Sequence, residues 1–70
     1  MAMYTAVIQK EGKMYVVRCP EVGTTSQGKT VEEALKNIKE ATELYLEEFS
    51  VKHVSHPIVT TFEVAGDAKS

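Results

Sequence analysis

One stretch of this chain, residues 30–49, has a clear helical period that limits what the rest can form. Apolar residues recur there at intervals of three and four, as they do when one face of an α-helix is buried. The residues of this stripe are Val31, Ala34, Leu35, Ile38, Thr42, Tyr45 and Phe49, with Ala41 and Leu46 at its margins. Thr30 has the position of an N-cap residue, and Glu33 three residues later completes a capping box. The sequence therefore predicts one amphipathic helix that needs an apolar surface to pack against.

Three shorter runs before the helix and one after it are typical of β-strands, since β-branched, aromatic or alternating apolar residues dominate them. These runs are residues 3–9, 14–19, 22–27 and 58–65. Gly12 lies in the polar connector between the first two runs and can adopt the positive φ of a hairpin turn. Residues 50–55 are expected to connect the helix to the last run.

This order predicts an α+β fold, a two-layer β-β-β-α-β sandwich with one helix on a mainly antiparallel sheet. We expect residues 1–70 to form a single domain. The helix would cover one face of the sheet and leave the other exposed. The expected members of the uncovered face are drawn from Thr5, Val7, Tyr15, Val17, Val59 and Thr61. An apolar face on so small a protein predicts a homo-oligomer, formed through that face or through the edge of residues 58–65.

The charge of the chain is unevenly distributed. The formal net charge of −2 argues against a general polyanion-binding protein. Residues 30–49, however, hold six glutamates and only two lysines. Their exposed face is either simply solvated or a surface that attracts a basic partner. The candidate partner-binding residues are Glu40, Glu43, Leu44 and Glu47 on the helix, and Tyr15 and Val17 on the sheet.

Cysteine usage and hydropathy indicate the compartment. Cys19 is the only cysteine, so an intrachain disulfide is impossible, which fits a reducing environment. No apolar run approaches the roughly 20 residues of a membrane span, and the N-terminus has no signal-peptide pattern. We therefore expect a cytoplasmic protein.

Patterns for catalysis and metal binding are weak. Cys19, His53 and His56 supply three possible zinc ligands, but a fourth is missing and the spacing fits no known finger. The carboxylates outside the helix, Glu21 among them, form no cluster that could hold the metal of an RNase H-type nuclease, and we expect them to be solvated. Residues 28–30 lack the spacing of a phosphate-binding loop. We predict a non-enzymatic protein without metal or cofactor.

A small RNA-binding protein is the alternative function. Small α+β sheets can stack bases on exposed aromatic residues, and Tyr4 and Tyr15 are available for this. Lys10, Lys13 and Arg18 lie close to them in sequence. Aromatic residues make up only 7% of the chain and the helix is acidic, so a protein partner is the better prediction.

Several short motifs follow one another along the chain. They are Tyr-x-Ala-Val-Ile from Tyr4, Tyr-Val-Val from Tyr15, Cys-Pro-Glu-Val-Gly from Cys19, Thr-Ser-Gln-Gly-Lys-Thr from Thr25, Glu-Glu-Ala-Leu from Glu32 and Leu-Tyr-Leu-Glu from Leu44. This ordered set resembles the HicB-like antitoxin family of type II toxin–antitoxin systems. The segment between Pro20 and Gln27 is about one residue shorter than the family pattern.

The resemblance implies a partial RNase H-like β-β-β-α-β fold. It also implies that the chain binds a small basic mRNA-cleaving toxin of the HicA type and blocks its RNA-binding and catalytic surface. Many relatives carry a C-terminal DNA-binding module. We expect none after Val51, so this would be a short form that does not bind DNA directly. The resemblance supplies no catalytic residues.

Overall fold

The computed structural model describes residues 2–49 and 55–66. Its elements are β1 (Val7–Glu11), β2 (Met14–Cys19), β3 (Thr24–Gly28) and α1 (Val31–Glu48). The three strands form one antiparallel sheet in the order β1-β2-β3, and α1 packs against it. The predicted α+β fold, one helix on an antiparallel sheet, is confirmed. No helix in the part of the chain that the structure describes is long and apolar enough to cross a membrane.

The hairpin between β1 and β2 fixes the register of the sheet. Gly12 has a φ of +63°, as predicted for the turn, and Glu11 pairs directly with Met14 across it. β1 starts at Val7, later than predicted, and Val7 pairs with Arg18. Residues 3–6 run towards the end of β2, where Pro20 has no N–H to offer a ladder.

The helix begins at the predicted N-cap residue, Thr30. The hydroxyl of Thr30 accepts a hydrogen bond from the backbone N–H of Glu33 at 3.0 Å. The carboxylate of Glu33 accepts one from the backbone N–H of Lys29, also at 3.0 Å. One of the donors that a helix N-terminus leaves free is therefore satisfied by the Thr30 side chain, whereas Glu33 binds the residue before the cap and not the N–H of Thr30.

The core lies where α1 crosses β2 and β3, and its buried apolar members are Val17, Cys19, Ala34 and Ile38. The hydroxyls of Thr24 and Thr42 meet at 2.7 Å and join β3 to the helix. Gly28 is required by the close approach of β3 to α1, because a Cβ there would lie 2.5 Å from the backbone nitrogen of Ala34.

The apolar stripe of the helix is only partly covered. Ala34, Ile38 and Thr42 are buried, whereas Val31 and Leu35 are each 41% exposed and Phe49 is 54% exposed. Leu44, predicted to lie off the stripe, is 62% exposed. The sheet is therefore too narrow for the apolar surface that the helix presents.

Two predictions about the sheet faces are wrong. Val17 is completely buried beneath the helix, and Tyr15 is half-buried against the same core. Ile8 pairs with Val17, so the apolar side of β1 and these two residues share one face. The uncovered face carries the alternate residues, including Val7, Val16 and Arg18. It is a mixed surface and not the apolar one expected.

The predicted fourth strand is also absent from the sheet. Residues 55–66 are all exposed and none belongs to a strand in the described part of the chain. Ile58 is 93% exposed and Phe62 86%. The radius of gyration of 14.5 Å exceeds the about 11 Å of a compact chain of this length. The segment has the sequence of a strand but no neighbouring strand to pair with. Most of the predicted connector over residues 50–55 lies outside the described residues.

Candidate functional site

The helix presents a row of carboxylates on the side opposite the core. We name Glu40, Glu43, Leu44 and Glu47 the acidic stripe. Their spacing of three and four residues places them on one face of α1, and all four are exposed. The buried residues Ala34, Ile38 and Thr42 lie on the other side of the same helix. The acidic stripe is thus held on a rigid element whose orientation is fixed by the core.

The carboxylates of the acidic stripe are available to a partner. Within residues 2–49 and 55–66, none of Glu40, Glu43 and Glu47 forms a salt bridge or a side-chain hydrogen bond. Their charges therefore add to a negative potential that decays over about 8–10 Å at physiological salt. Leu44 provides an exposed apolar contact in the middle of this row. Charge and apolar area together are suited to binding a basic protein surface.

A second candidate surface is a cleft of about 510 Å³ beside the N-terminal segment. We name it the apolar cleft. It lies between residues 2–6 on one side and the flank of α1 on the other. The apolar side chains along it include Tyr4, Leu35, Ile38 and Leu46, and Glu43 of the acidic stripe borders it.

A cluster around Glu21 was missed by the sequence reasoning, which expected this carboxylate to be solvated. The Glu21 side chain is completely shielded from solvent. It accepts hydrogen bonds from the backbone N–H of Thr5 at 2.9 and 3.1 Å and from the Thr5 hydroxyl at 2.9 Å. The thiol of Cys19 lies 3.5 Å from Oε1 of the Glu21 carboxylate.

His56 completes this cluster from the C-terminal segment. Its Nδ1 lies 3.0 Å from Glu21 Oε2, and its ring packs edge-on to Tyr4 at 6.2 Å between centroids. Burial alone would raise the pKa of Glu21, but the hydrogen bonds with His56 and Thr5 outweigh it and lower the pKa from 4.5 to about 2. An ionised carboxylate only accepts, so Nδ1 of His56 carries the proton.

The Glu21 cluster ties three distant parts of the chain together, and sequence spacing gives no sign of it. Thr5 and His56 lie 16 and 35 residues from Glu21. Among the described residues, no group of three or more His, Cys, Asp or Glu side chains has a metal-holding arrangement. Cys19 is buried. His53 lies outside the described residues. The hydrogen bonds to this one carboxylate thus hold the three segments together.

Tyr4 and Tyr15, the aromatic residues considered for RNA binding, do not form an exposed platform in the structure. Tyr4 and Tyr15 are half-buried and pack against the core, on the helix side of the sheet. Lys10 places its ammonium 5.9 Å from the ring centroid of Tyr15. The rings are thus already in contact with protein, whereas base stacking requires an exposed face.

The comparisons with known proteins agree with the resemblance that the motifs indicated. The family model described as the HicB-like antitoxin of bacterial toxin-antitoxin systems matches residues 4–69. The chain is 39% identical over 69 residues to a UPF0150 protein of Helicobacter pylori, covering 90% of this chain and 96% of the relative.

Two further relatives come from other organisms. A UPF0150 protein of Synechocystis is 45% identical over 56 residues, which are 77% of this chain and 71% of the relative. A UPF0150 protein of Thermoplasma acidophilum is 52% identical over 46 residues, which are 63% of this chain and 67% of the relative. No solved structure matches the chain. On the family match and these relatives, the chain belongs to the HicB-like antitoxin family of bacterial toxin–antitoxin systems.

Proposed function

We propose that this chain is an antitoxin that binds a small basic mRNA-cleaving toxin of the HicA type and covers its RNA-binding surface. Family membership implies a toxin partner of some kind and suggests a non-enzymatic regulator. The observation that carries the finer proposal is the acidic stripe, which is exposed, rigidly held and free of ion pairs among the described residues. A toxin that holds RNA must be basic where it does so, because RNA is a polyanion.

Binding acts by steric exclusion in this proposal. Glu40, Glu43 and Glu47 would occupy the cationic surface that otherwise receives phosphates, and Leu44 would add apolar contact at the centre. Long-range attraction between opposite charges would speed association, and a competing RNA would be repelled by the acidic face. No covalent step or cofactor is needed for such inhibition.

We further propose that the chain acts in the cytoplasm, because its proposed target cleaves mRNA. We also propose that the chain acts as a single domain and that it forms a homo-oligomer, because large apolar side chains such as Ile58 and Phe62 are almost fully exposed in one copy.

The partner can be obtained from the native cell and then used for binding measurements. A tagged chain is captured, and mass spectrometry identifies proteins recovered at near-equal stoichiometry. Recovery of a small basic protein that cleaves RNA supports the proposal. Capture of RNA without protein, with a salt-dependent gel shift, would favour the alternative of a small RNA-binding protein.

Charge-neutral variants then test the acidic stripe. The variant carrying Glu40→Gln, Glu43→Gln and Glu47→Gln is compared with a control carrying Glu11→Gln, Glu32→Gln and Glu48→Gln. Both lose three charges from exposed positions. The stripe variant should bind the toxin roughly tenfold more weakly at low salt, since exposed ion pairs contribute about 0.2–1 kcal/mol each. Equal losses in the two variants would remove the acidic stripe from the interface.

A further inference from the structure

Two segments of this chain have strand sequences but no ladder partner in the structure. Residues 3–6 continue the alternation of β1 back towards the N-terminus, yet the strand begins only at Val7. Residues 58–64 are β-branched apart from Phe62 and Glu63, yet they belong to no strand. A strand sequence without a neighbour leaves backbone donors and acceptors exposed to water, where they are free to pair with another chain.

The apolar cleft lies beside the first of these segments. Tyr4 and Ala6 border the cleft on the N-terminal side, and Leu35, Ile38 and Leu46 border it on the helix. Because β2 is the only strand paired with β1 among the described residues, the other edge of β1 is free. A strand added along that edge would extend the sheet beneath the uncovered flank of α1. Its inward side chains would then occupy the cleft.

The second segment has the side chains that such a position requires. The even-numbered residues share one side of an extended chain, and they are Thr60 and the apolar Ile58, Phe62 and Val64. The three apolar residues are 93%, 86% and 73% exposed, so no part of the described chain covers them. The only charged residue between Pro57 and Gly66 is Glu63, which points to the opposite side of the strand.

The chain does not place this segment in its own cleft. His56 is held against Glu21 and Tyr4, close to the N-terminal border of the cleft. Two residues later, however, Ile58 is almost fully exposed, and every described residue after it is exposed as well. The segment therefore leaves the domain at the point where it would have to turn into the cleft.

We propose that residues 58–64 add as a strand to the free edge of residues 3–9 in a second copy of this chain, filling its apolar cleft. The exchange is reciprocal, so each copy gives one strand and receives one, as two-fold symmetry requires. Each copy supplies both the donor segment and the acceptor edge. The inference rests on the homo-oligomer proposed above and goes beyond it by naming the segment, the edge and the cleft.

Sedimentation of purified variants without any toxin tests the exchange. The wild-type chain should sediment at twice 7.7 kDa at micromolar concentration. Thr60→Pro removes one backbone donor from the exchanged segment, whereas Thr60→Val keeps it and retains strand propensity. Thr60 is exposed, so neither change disturbs the core. Thr60→Pro should weaken self-association about tenfold or more, and Thr60→Val should not weaken it.

Complementation separates exchange between copies from folding back within one copy. Leu46→Glu spoils the cleft but leaves the segment intact, and Thr60→Pro does the reverse. The two variants, each monomeric alone, should form a mixed dimer through their one intact segment and one intact cleft. In a mixture of isotope-labelled and unlabelled wild-type chains, cross-chain NOEs should join Phe62 to Leu46.

Three results would overturn the exchange. They are a wild-type monomer at 100 µM (about the concentration at which weak dimers still form), a dimer unaffected by Thr60→Pro and also by Thr61→Pro, whose N–H points to the opposite edge of the segment, and Phe62–Leu46 contacts confined to one chain. Since no toxin is present, none of these results bears on toxin binding. Loss of toxin inhibition with the dimer intact would instead count against the proposed function alone.

Discussion

The β3 side and the β1 side of this small sheet are covered to different extents by the same helix. On the β3 side, the hydroxyls of Thr24 and Thr42 meet at 2.7 Å, and Asn37 donates to the carbonyl of Gln27 at 2.8 Å. On the β1 side, the apolar cleft separates the helix flank from residues 2–6. One side is closed within the chain, and the other has apolar surface that the chain does not cover.

The dimensions of the elements explain this difference. An α-helix with its side chains is about 10–12 Å wide, whereas strands lie about 4.8 Å apart. One helix therefore covers about two strands, and here these are β2 and β3. The helix nevertheless carries apolar residues on the flank beyond them, such as Leu35 and Leu46. The apolar surface of the helix would therefore fit a sheet wider than the three strands of one copy.

The largest expected effect on the free energy of unfolding is that of truncating Ile38, a core residue on the closed side. Phe62, in the exposed segment, is the comparison. Ile38→Ala should lower the free energy of unfolding by about 3 kcal/mol at any protein concentration, because it leaves a cavity in the core. Phe62→Ala should lower it only at concentrations where copies associate, since Phe62 is 86% exposed in one copy. Urea unfolding at two protein concentrations measures both. A concentration-independent loss for Phe62→Ala would mean that Phe62 packs within its own chain.

Gly28→Ala tests how tightly the closed side is packed. The new Cβ would lie 2.5 Å from the backbone nitrogen of Ala34, and backbone cannot move aside as a flexible side chain does. The loss of stability should be about 2 kcal/mol. Gln27→Ala, at the exposed neighbouring position, is the control and should change stability by less than about 0.5 kcal/mol. A tolerated Gly28→Ala would show that β3 and α1 are less tightly joined than described.

Thr30→Ala tests the start of the helix, on the closed side. Removing the hydroxyl that accepts from Glu33 should cost about 1 kcal/mol, and Thr30→Ser should restore most of it. Thermal unfolding followed by circular dichroism measures the change. Equal stability of Thr30→Ala and Thr30→Ser would exclude the hydroxyl as the stabilising group.

The Glu21 cluster stabilises the fold at neutral pH, and this contribution should be lost in acid. Its folded-state pKa is about 2, below the 4.5 of the unfolded chain. A group with a depressed pKa contributes stability that is complete above its unfolded pKa and is lost as the pH falls towards the folded value. Stability should therefore decline between pH 4.5 and about 2, and Glu21→Gln should flatten that decline. Glu32→Gln is the exposed control and should leave the decline in place.

Local patterns predicted the helix, its cap and the first hairpin. The stripe around Ile38 and the Thr30–Glu33 spacing are short-range signals that packing did not override. The exposure of Leu44 and of the acidic stripe followed from the same period. Features set by neighbours within a few residues were therefore accessible from the sequence.

The faces of β2 were predicted wrongly because this strand is apolar on both sides. Tyr15, Val16 and Val17 are consecutive, so a two-residue period gives no preference. The register of the β1–β2 hairpin would have predicted the faces of β2 correctly. A two-residue turn that contains Gly12 pairs Glu11 with Met14, and this places Val17 opposite Ile8, on the apolar side of β1.

Long-range features could not be predicted from spacing. The Glu21 cluster joins side chains up to 35 residues apart, and a carboxylate in a loop gives no sign of its partners. For residues 58–65, the pattern predicted a strand, but the structure has none there, because a strand forms only where the segment lies along an edge of the sheet. Whether residues 58–65 pair with the sheet depends on the course of the chain after the helix. Residues 50–54, which follow the helix, lie outside the described structure.

The proposed function is tested most directly by RNA cleavage with the toxin recovered alongside the chain. Cleavage of a labelled mRNA is measured while the chain is added in increasing amounts, together with the stripe variant and its charge-matched control. Cleavage should stop near equal stoichiometry with the wild-type chain and with the control, and the stripe variant should require a higher concentration. Undiminished cleavage at a large excess of the wild-type chain, at low salt, would contradict the assignment of this protein as the toxin's inhibitor.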